Sequence, residues 1–443
     1  MDTARNIYRN DVDFGALALR DAEFSKYLKQ NNQLDFSNPE AVQQLTKSLL
    51  SRDFGLKISL PDDRLCPPVP NRLNYILWLQ DLIDTTGEDY TAGCDPDREV
   101  IGLDIGTGSS CIYPLLGCSQ RPLWKFVATD IDDKNLHYAE ENVEKNNLQL
   151  RIRVIQTTQD DQLIPLGGKI PLKSLDFTMC NPPFYESLDE MMNAAMAKQR
   201  PAFSACTGSR AEMITSGGEA AFVTRMIDES LQLRDSVQWY TTMLGKLSSI
   251  SVLIEKLLCM GNQNWAVTEF VQGSRTRRWA IAWSWRDLRP LMGVARSQIS
   301  SIPKHLLPFP SEFTFQPPPQ TSVSSTSQII DEELRSLHIP WHWDAGKASG
   351  LGFAMENVWS RAARRKRRLQ QDRAAAARNQ EEEEEQGSEE FERGKAALGF
   401  RVLVRQIGVD VDQLEVVISW VKGVDSVLFE SFCGMVKRKV EGR

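Results

Sequence analysis

The stretch VIGLDIGTGSSCIYPLLG, residues 100–117, decides the fold. Its first six residues are a short apolar run ending in Asp104 and Ile105, and Gly106 and Gly108 follow at once. A run of that length bounded by glycine reads as a buried strand rather than a helix. Glycines directly after a strand let the backbone turn sharply and approach a ligand at the carboxyl edge of a parallel sheet. The third glycine of the dinucleotide pattern G-x-G-x-x-G is missing, so nothing here points to pyrophosphate. Asp104, placed before the glycines, suits a ligand with a positively charged amino-acid end. Asp130 closes the next strand, and its two oxygens can accept from both hydroxyls of a ribose. Together these residues read as a site for a nucleoside-type cofactor.

Working outward, short apolar runs alternate with helical patterns, the mark of a doubly wound α/β sheet. Strands are expected over 100–105, 126–131, 152–156, 175–180, 237–244, 266–272 and 278–285. A helix is expected from Lys134, with Asp132 or Asp133 as its cap. Upstream, PEAVQQLTKSLLSRDF (39–54) and NRLNYILWLQDLI (71–83) have helical spacing, and Leu73, Ile76, Leu77, Leu79 and Ile83 form a mostly apolar face. Downstream, residues 299–326 are rich in Pro and Ser and read as a linker. Beyond it, GFRVLVRQIG (399–408) and LEVVISWVKG (414–423) read as paired strands, and VLFESFCGMVKRKV (427–440) as a closing helix. The expected organisation is a helical extension over 1–95, an α/β domain over 96–298, the linker 299–326, and a small α+β module over 327–443.

After the fourth strand stands Asn181-Pro182-Pro183-Phe184. Two consecutive prolines stiffen the turn and remove two backbone donors. The Asn181 amide oxygen and the Pro182 carbonyl are then two acceptors that can draw aside the hydrogens of an exocyclic amine. Phe184 can stack on the base that carries it. Attack on a sulfonium methyl needs alignment above all, and orientation alone can be worth about 7–11 kcal/mol. No strong general base is needed before the transfer.

Composition sets outer bounds. Across 443 residues, 41% are hydrophobic and 25% charged, enough for ordinary globular cores in two or three domains. No apolar run reaches membrane-spanning length, and the opening MDTARNIYRNDVDF has no apolar leader core, so an intracellular, soluble protein is expected. The eight cysteines stand singly and there are four histidines, so reduced core thiols are expected and no metal site is. The net charge of −7 conceals segregation: seven basic residues lie between Arg361 and Arg373, and Glu381 to Glu385 is a pure acidic run. Phosphate binding follows such local patches rather than the sum.

The chain resembles the eukaryotic U6 small nuclear RNA adenine-N6 methyltransferases (the methyltransferase-like protein sixteen family) and, more distantly, bacterial large-subunit rRNA adenine-N6 methyltransferases. The resemblance runs to about residue 290 through NPEAVQQLTKSLLSRDFGL, PVPNRLNYILWLQDLI, DIGTGSSCIYPLLG, ATDIDDKNLHYAEENVEKNNL, CNPPFYES, GGEAAFVTRMIDESLQL, WYTTMLGK, TEFVQG and RWAIAWS. It implies a Rossmann-like class I methyltransferase with a seven-stranded sheet and S-adenosylmethionine as cofactor. By resemblance, Arg72, Gly106, Ser110 and Asp130 help hold that cofactor, and Asn181 to Phe184 receive adenine. Asp130 is a departure, since the family usually has Glu there. Asp161, in the loop QTTQDDQLI (156–164), is carried over as a cofactor contact.

The resemblance also implies structured RNA as partner, U6 small nuclear RNA first, and a nuclear location, with the cytoplasm left open. Arg5 and Arg9 match the part of the family that grips RNA. Arg275, Arg277 and Arg278 match another basic stretch. Lys198, Arg200 and Arg210 lie in a substrate-facing insertion over 194–218. ENVWSRAARRKRR (356–368) resembles a C-terminal RNA-binding region, which makes Arg364, Arg365, Arg367 and Arg368 candidates; RRKRR also fits a nuclear localisation signal. Three alternatives stay open at this point: another RNA such as rRNA or a messenger hairpin, a protein glutamine methyltransferase, and an RNA-binding regulator with weak catalysis.

Overall fold

The computed structural model describes residues 5–91, 93–196, 208–272, 276–296, 301–363, 365, 369, 393–407 and 413–442. Two compact units divide the chain. The first comprises Met1–Asp84, Gly93–Arg286 and Gly293–Pro308, the second Thr85–Ala92, Asp287–Met292 and Phe309–Arg443.

The first unit is built on seven strands: β1 (Val100–Ile105), β2 (Trp124–Asp130), β3 (Ile152–Gln156), β4 (Leu175–Cys180), β5 (Val237–Leu244), β6 (Trp265–Gln272) and β7 (Thr276–Trp283). Their order is β3-β2-β1-β4-β5-β7-β6. Strands β1 to β5 pair in parallel, while β7 runs antiparallel to both β5 and β6. This is the Rossmann-like sheet of a class I methyltransferase. Five expected strands coincide with the observed ones to within a residue; the second begins at Trp124 and the last occupies Thr276–Trp283. Gly102 of β1 sits opposite Phe177 of β4, and a β-carbon there would come within 2.3 Å of the Phe177 ring. The glycine exists to admit that ring to the core.

The helices are α1 (Phe14–Ala18), α2 (Ala22–Ser25), α3 (Pro39–Phe54), α4 (Val69–Asp84), α5 (Ile112–Gln120), α6 (Asp133–Lys145), α7 (Leu188–Met196), α8 (Arg210–Met213), α9 (Gly218–Leu233) and α10 (Leu247–Cys259). Helix α3 starts where Asn38 caps two free amides ahead of Pro39 and stops at Gly55, whose φ of +66° favours glycine. Asp132 caps α6 through the Asn135 amide at 2.9 Å. Helix α4 differs from the one-faced expectation, because it is buried almost all round. Its polar positions are therefore partnered inside: Tyr75 shares a 2.6 Å hydrogen bond with Thr241, and Trp78 Nε1 donates to the Val294 carbonyl at 3.1 Å. Among the described residues no helix is long and apolar enough to cross a membrane.

The second unit holds β8 (Glu312–Phe315), β9 (Trp341–Asp344), β10 (Ser349–Ala354), β11 (Leu398–Gln406) and β12 (Leu414–Lys422), in the order β8-β12-β11-β10-β9. Every pairing is antiparallel. Helices Val323–Ser336 and Ser426–Val440 supply Ile330, Leu334, Phe429 and Phe432 to its core. Two expectations change here. The segment 299–326 is not all linker, since β8 lies within it: Phe313 and Phe315 pair with Ile418 and Val416 and turn toward that core. Strands β9 and β10 carry no clear periodic signal, because Gly350 and Gly352 erase the apolar alternation; a β-carbon at either would strike Trp341. Residues 85–92 and 287–292 also belong to this unit. Arg289 stacks over Trp420 at 4.1 Å, and Arg401 donates to the Tyr90 carbonyl.

Candidate active site

Strand order reverses beside β1, and ligands of open α/β sheets bind at the carboxyl edge there. A cavity of about 670 Å³ lies at that edge. Its wall includes Arg72, Gly106, Gly108, Ser110, Asp130, Asp161, Asn181, Pro182, Pro183 and Arg210, all expected from sequence. Two expected residues are not on the wall: Asp104 and Phe184.

The glycine turn is pinned from β2. The amides of Gly106 and Thr107 both donate to the Thr129 carbonyl at 2.9 Å, with Gly106 and Gly108 at φ +73° and +64°. Asp130 accepts from the Gly108 amide at 2.9 Å and from the Asp132 amide at 3.0 Å. Burial pushes its carboxyl up, and those two amides pull it back. Asp130 therefore shapes the turn and still presents lone pairs to the cavity.

Asp104 is completely buried. Neither of its carboxyl oxygens meets a donor at hydrogen-bonding geometry. Burial pushes its carboxyl up to about 7; the Thr107 hydroxyl and Arg72 oppose this, and the charge of Asp130 adds to it. Arg72 donates to the Tyr113 hydroxyl at 2.6 Å and leaves Nε unpartnered. The Tyr113 phenol is pushed up to about 12 by burial, with Arg72 opposing. Orphaned buried groups on opposite chemistries (a carboxyl, a guanidinium nitrogen, the Thr107 hydroxyl) fit a zwitterionic amino-acid end better than an apolar ligand.

Asn181 Oδ1 is likewise buried without a partner, as expected of an acceptor kept for substrate. Phe184 lies outside the cavity wall, with the Arg278 guanidinium 5.3 Å from its ring centre. Asp161 reaches the wall, but its carboxylate serves its own loop, accepting from Lys169 Nζ at 2.5 Å and from the Thr158 amide and hydroxyl at 2.7 and 2.8 Å. Chiefly the Lys169 bond holds that carboxyl below the usual range.

The candidate RNA-binding residues separate into groups. Arg9 and Arg210 are exposed, as is Arg365. Arg5 pairs with Asp81, and Arg277 with the buried Glu269 at 2.8 Å. Lys198, Arg200, Arg275, Arg364, Arg367 and Arg368 fall outside the described residues. Tyr113, Asn135, Leu65 and Arg225 also stand on the wall, and sequence reasoning missed them. Tyr113 follows the glycine turn closely enough to have been flagged. Arg225, which donates to the Gln159 carbonyl at 3.4 Å across to the loop, had no local signal.

A family model described as RNA methyltransferase matches residues 2–287. The chain is 34% identical to the U6 small nuclear RNA (adenine-(43)-N(6))-methyltransferase of Schizosaccharomyces pombe, over 92% of this chain and 95% of that one. It is 43% identical to human RNA N(6)-adenosine-methyltransferase METTL16 over 64% of this chain, and that match spans 50% of the human protein. Among solved structures, the human METTL16 catalytic domain in complex with MAT2A 3′UTR hairpin 1 matches with TM-score 0.56 at 42% identity, covering 64% of this chain and 95% of that one. The N-terminal domain of human METTL16 in complex with SAH matches with TM-score 0.52 at 41% identity, covering 64% and 98%. With its sheet order, its glycine turn and its Asn-Pro-Pro-Phe turn in the places such an enzyme requires, the chain belongs to the RNA methyltransferase family.

Proposed function

We propose that this chain methylates the exocyclic N6 of an adenosine in structured RNA, U6 small nuclear RNA foremost, with S-adenosylmethionine as methyl donor. The observation that carries the reading is Asn181 Oδ1, a buried acceptor without a partner on the wall of the cavity. The activity named for the fission-yeast relative, which the chain matches over 95% of its length, supports the substrate.

Arg72, Gly106, Gly108, Ser110 and Asp130 would hold the cofactor, with Asp104 setting the charge behind them. Bound there, the sulfonium supplies an electrophilic methyl group and a neutral leaving group. Asn181 Oδ1 and the Pro182 carbonyl accept the two amine hydrogens and so direct the nitrogen lone pair at the methyl. Phe184 receives the base face. The extra proton on nitrogen leaves to solvent after transfer, so no strong base is needed. Arg9 and Arg210 on the first unit, and the basic segment around Arg365 on the second, bind phosphate. A nuclear location follows from such a substrate.

The test is transfer of labelled methyl from S-adenosylmethionine to total cellular RNA, followed by size separation and nucleoside analysis. Label in N6-methyladenosine from a band of U6 size is expected. Label confined to ribosomal or messenger RNA would change the substrate, and absence of label with intact RNA binding would favour a regulator.

A further inference from the structure

Phe184 is the residue proposed to receive the base, yet the cofactor cavity does not hold it in place. Its ring rests on Gly245, where an added β-carbon would lie 2.9 Å from Cδ1 and 3.3 Å from Cε1. Gly245 directly follows β5 and is not among the positive-φ residues. Its backbone would accept alanine, so the position excludes a side chain for want of space alone.

The turn carrying Gly245 is clamped. Glu219, 2% exposed in the first turn of α9, accepts from the Gly245 amide at 2.7 Å, the Lys246 amide at 2.9 Å and the Ser249 hydroxyl at 2.6 Å. A buried carboxylate is stable only when so satisfied, and charge-assisted bonds of this kind are the stronger ones. The chain leaving Phe184 is held to the segment just before α9: the Tyr185 amide donates to the Met213 carbonyl at 3.0 Å, and the Thr215 amide to the Tyr185 carbonyl at 2.9 Å. The start of α9 thus anchors both the backbone of Phe184 and the surface its ring lies against. Neither Glu219 nor Gly245 lines the cofactor cavity.

We propose that Glu219 and Gly245 are positioning residues for the base-receiving ring: the carboxylate fixes the turn, and the bare glycine leaves room for Phe184 to stand where the target adenine meets it. The inference rests on the function proposed above. It separates binding of cofactor from alignment of base, because the clamp acts on Phe184 alone.

The experiment uses the full chain and compares wild type, G245A, F184L and the double variant. In G245A the kcat for RNA methylation falls roughly 10- to 100-fold, the scale expected when a reacting group is displaced by about an ångström. S-adenosylmethionine affinity and the melting temperature stay at wild-type values. Adding G245A to F184L costs nothing further, since the glycine acts only through the ring. With 2-aminopurine in place of the target adenine, the fluorescence change that wild type gives on binding is lost in G245A. Wild-type kcat in G245A, or losses that add in the double variant, would overturn the proposal. If G245A melts early, Glu219→Gln serves instead, as it keeps the shape and turns one acceptor into a donor facing donors. Reduced kcat that vanishes as an effect in the F184L background supports the proposal, and full kcat overturns it. A wild type that labels no RNA overturns both this inference and the functional reading, whereas an active wild type with an equally active G245A overturns this inference alone.

Discussion

The Gly108 amide donates a 2.9 Å hydrogen bond to Oδ2 of Asp130. The acid that ends β2 is thereby part of the glycine turn that follows β1, and the other oxygen takes the Asp132 amide at the start of α6. One side chain joins three segments and faces the cavity.

Asp130→Ala therefore has two effects. Two buried amides lose their acceptor, which costs about 1–3 kcal/mol each at most and less where water enters. Affinity for S-adenosylmethionine falls as well. Urea unfolding without ligand and calorimetric titration with the cofactor separate the two. Lost affinity with unchanged unfolding would show that the acid touches ligand only.

Asn181→Ala removes an acceptor that has no partner inside the chain. Methyl transfer drops by about 10²-fold or more, because the amine is no longer oriented. RNA affinity and melting temperature hold, since nothing in the fold depends on that oxygen. Retained turnover in a single-turnover assay would remove the amide from the mechanism.

Asp104 makes stability depend on pH. Its carboxyl is pushed up to about 7 by burial, against about 3.9 in an unfolded chain. Between those values the native state holds a proton that the unfolded state has released, so unfolding becomes easier as pH rises. The contribution is complete below about pH 4 and is lost as pH passes about 7. Asp104→Asn should flatten that part of the curve, read as the urea midpoint from about pH 5 to about pH 8. An equal slope in both proteins would refute the assignment.

The arginines near RNA should not behave alike. Arg9→Ala and Arg210→Ala weaken binding and reduce the salt slope by about 0.7–0.9 for each phosphate that is no longer neutralised. Arg5 is already paired with Asp81, so Arg5→Ala alters the slope less. Arg277→Ala leaves Glu269 buried without its cation and lowers stability instead. Equilibrium binding across a salt series, set beside melting curves, resolves the three cases.

Much of the fold and site is legible in the sequence, for a local reason. Periodicity gives away β1 to β5, and the spacing of α3 and α6 with their caps at Asn38 and Asp132 is a backbone signal. Gly106, Gly108 and the Pro182–Pro183 pair mark a required backbone conformation, and that is what a single sequence records well. Where glycine serves side-chain packing instead, the signal inverts: Gly350 and Gly352 hide two strands, and Pro-rich flanks hide β8.

By itself, then, the sequence determined the order of strands and helices, the glycine turn, and the acceptors offered by Asn181 and Pro182, since each depends on the chemistry of neighbouring residues. Tertiary structure alone decided which groups those residues meet. Arg72 finds Tyr113, Asp104 is shut away from water, and Glu219 clamps Gly245 beneath Phe184. A buried polar group must be satisfied by whatever packing brings to it, often from far along the chain, and nothing in the residues beside it names that partner.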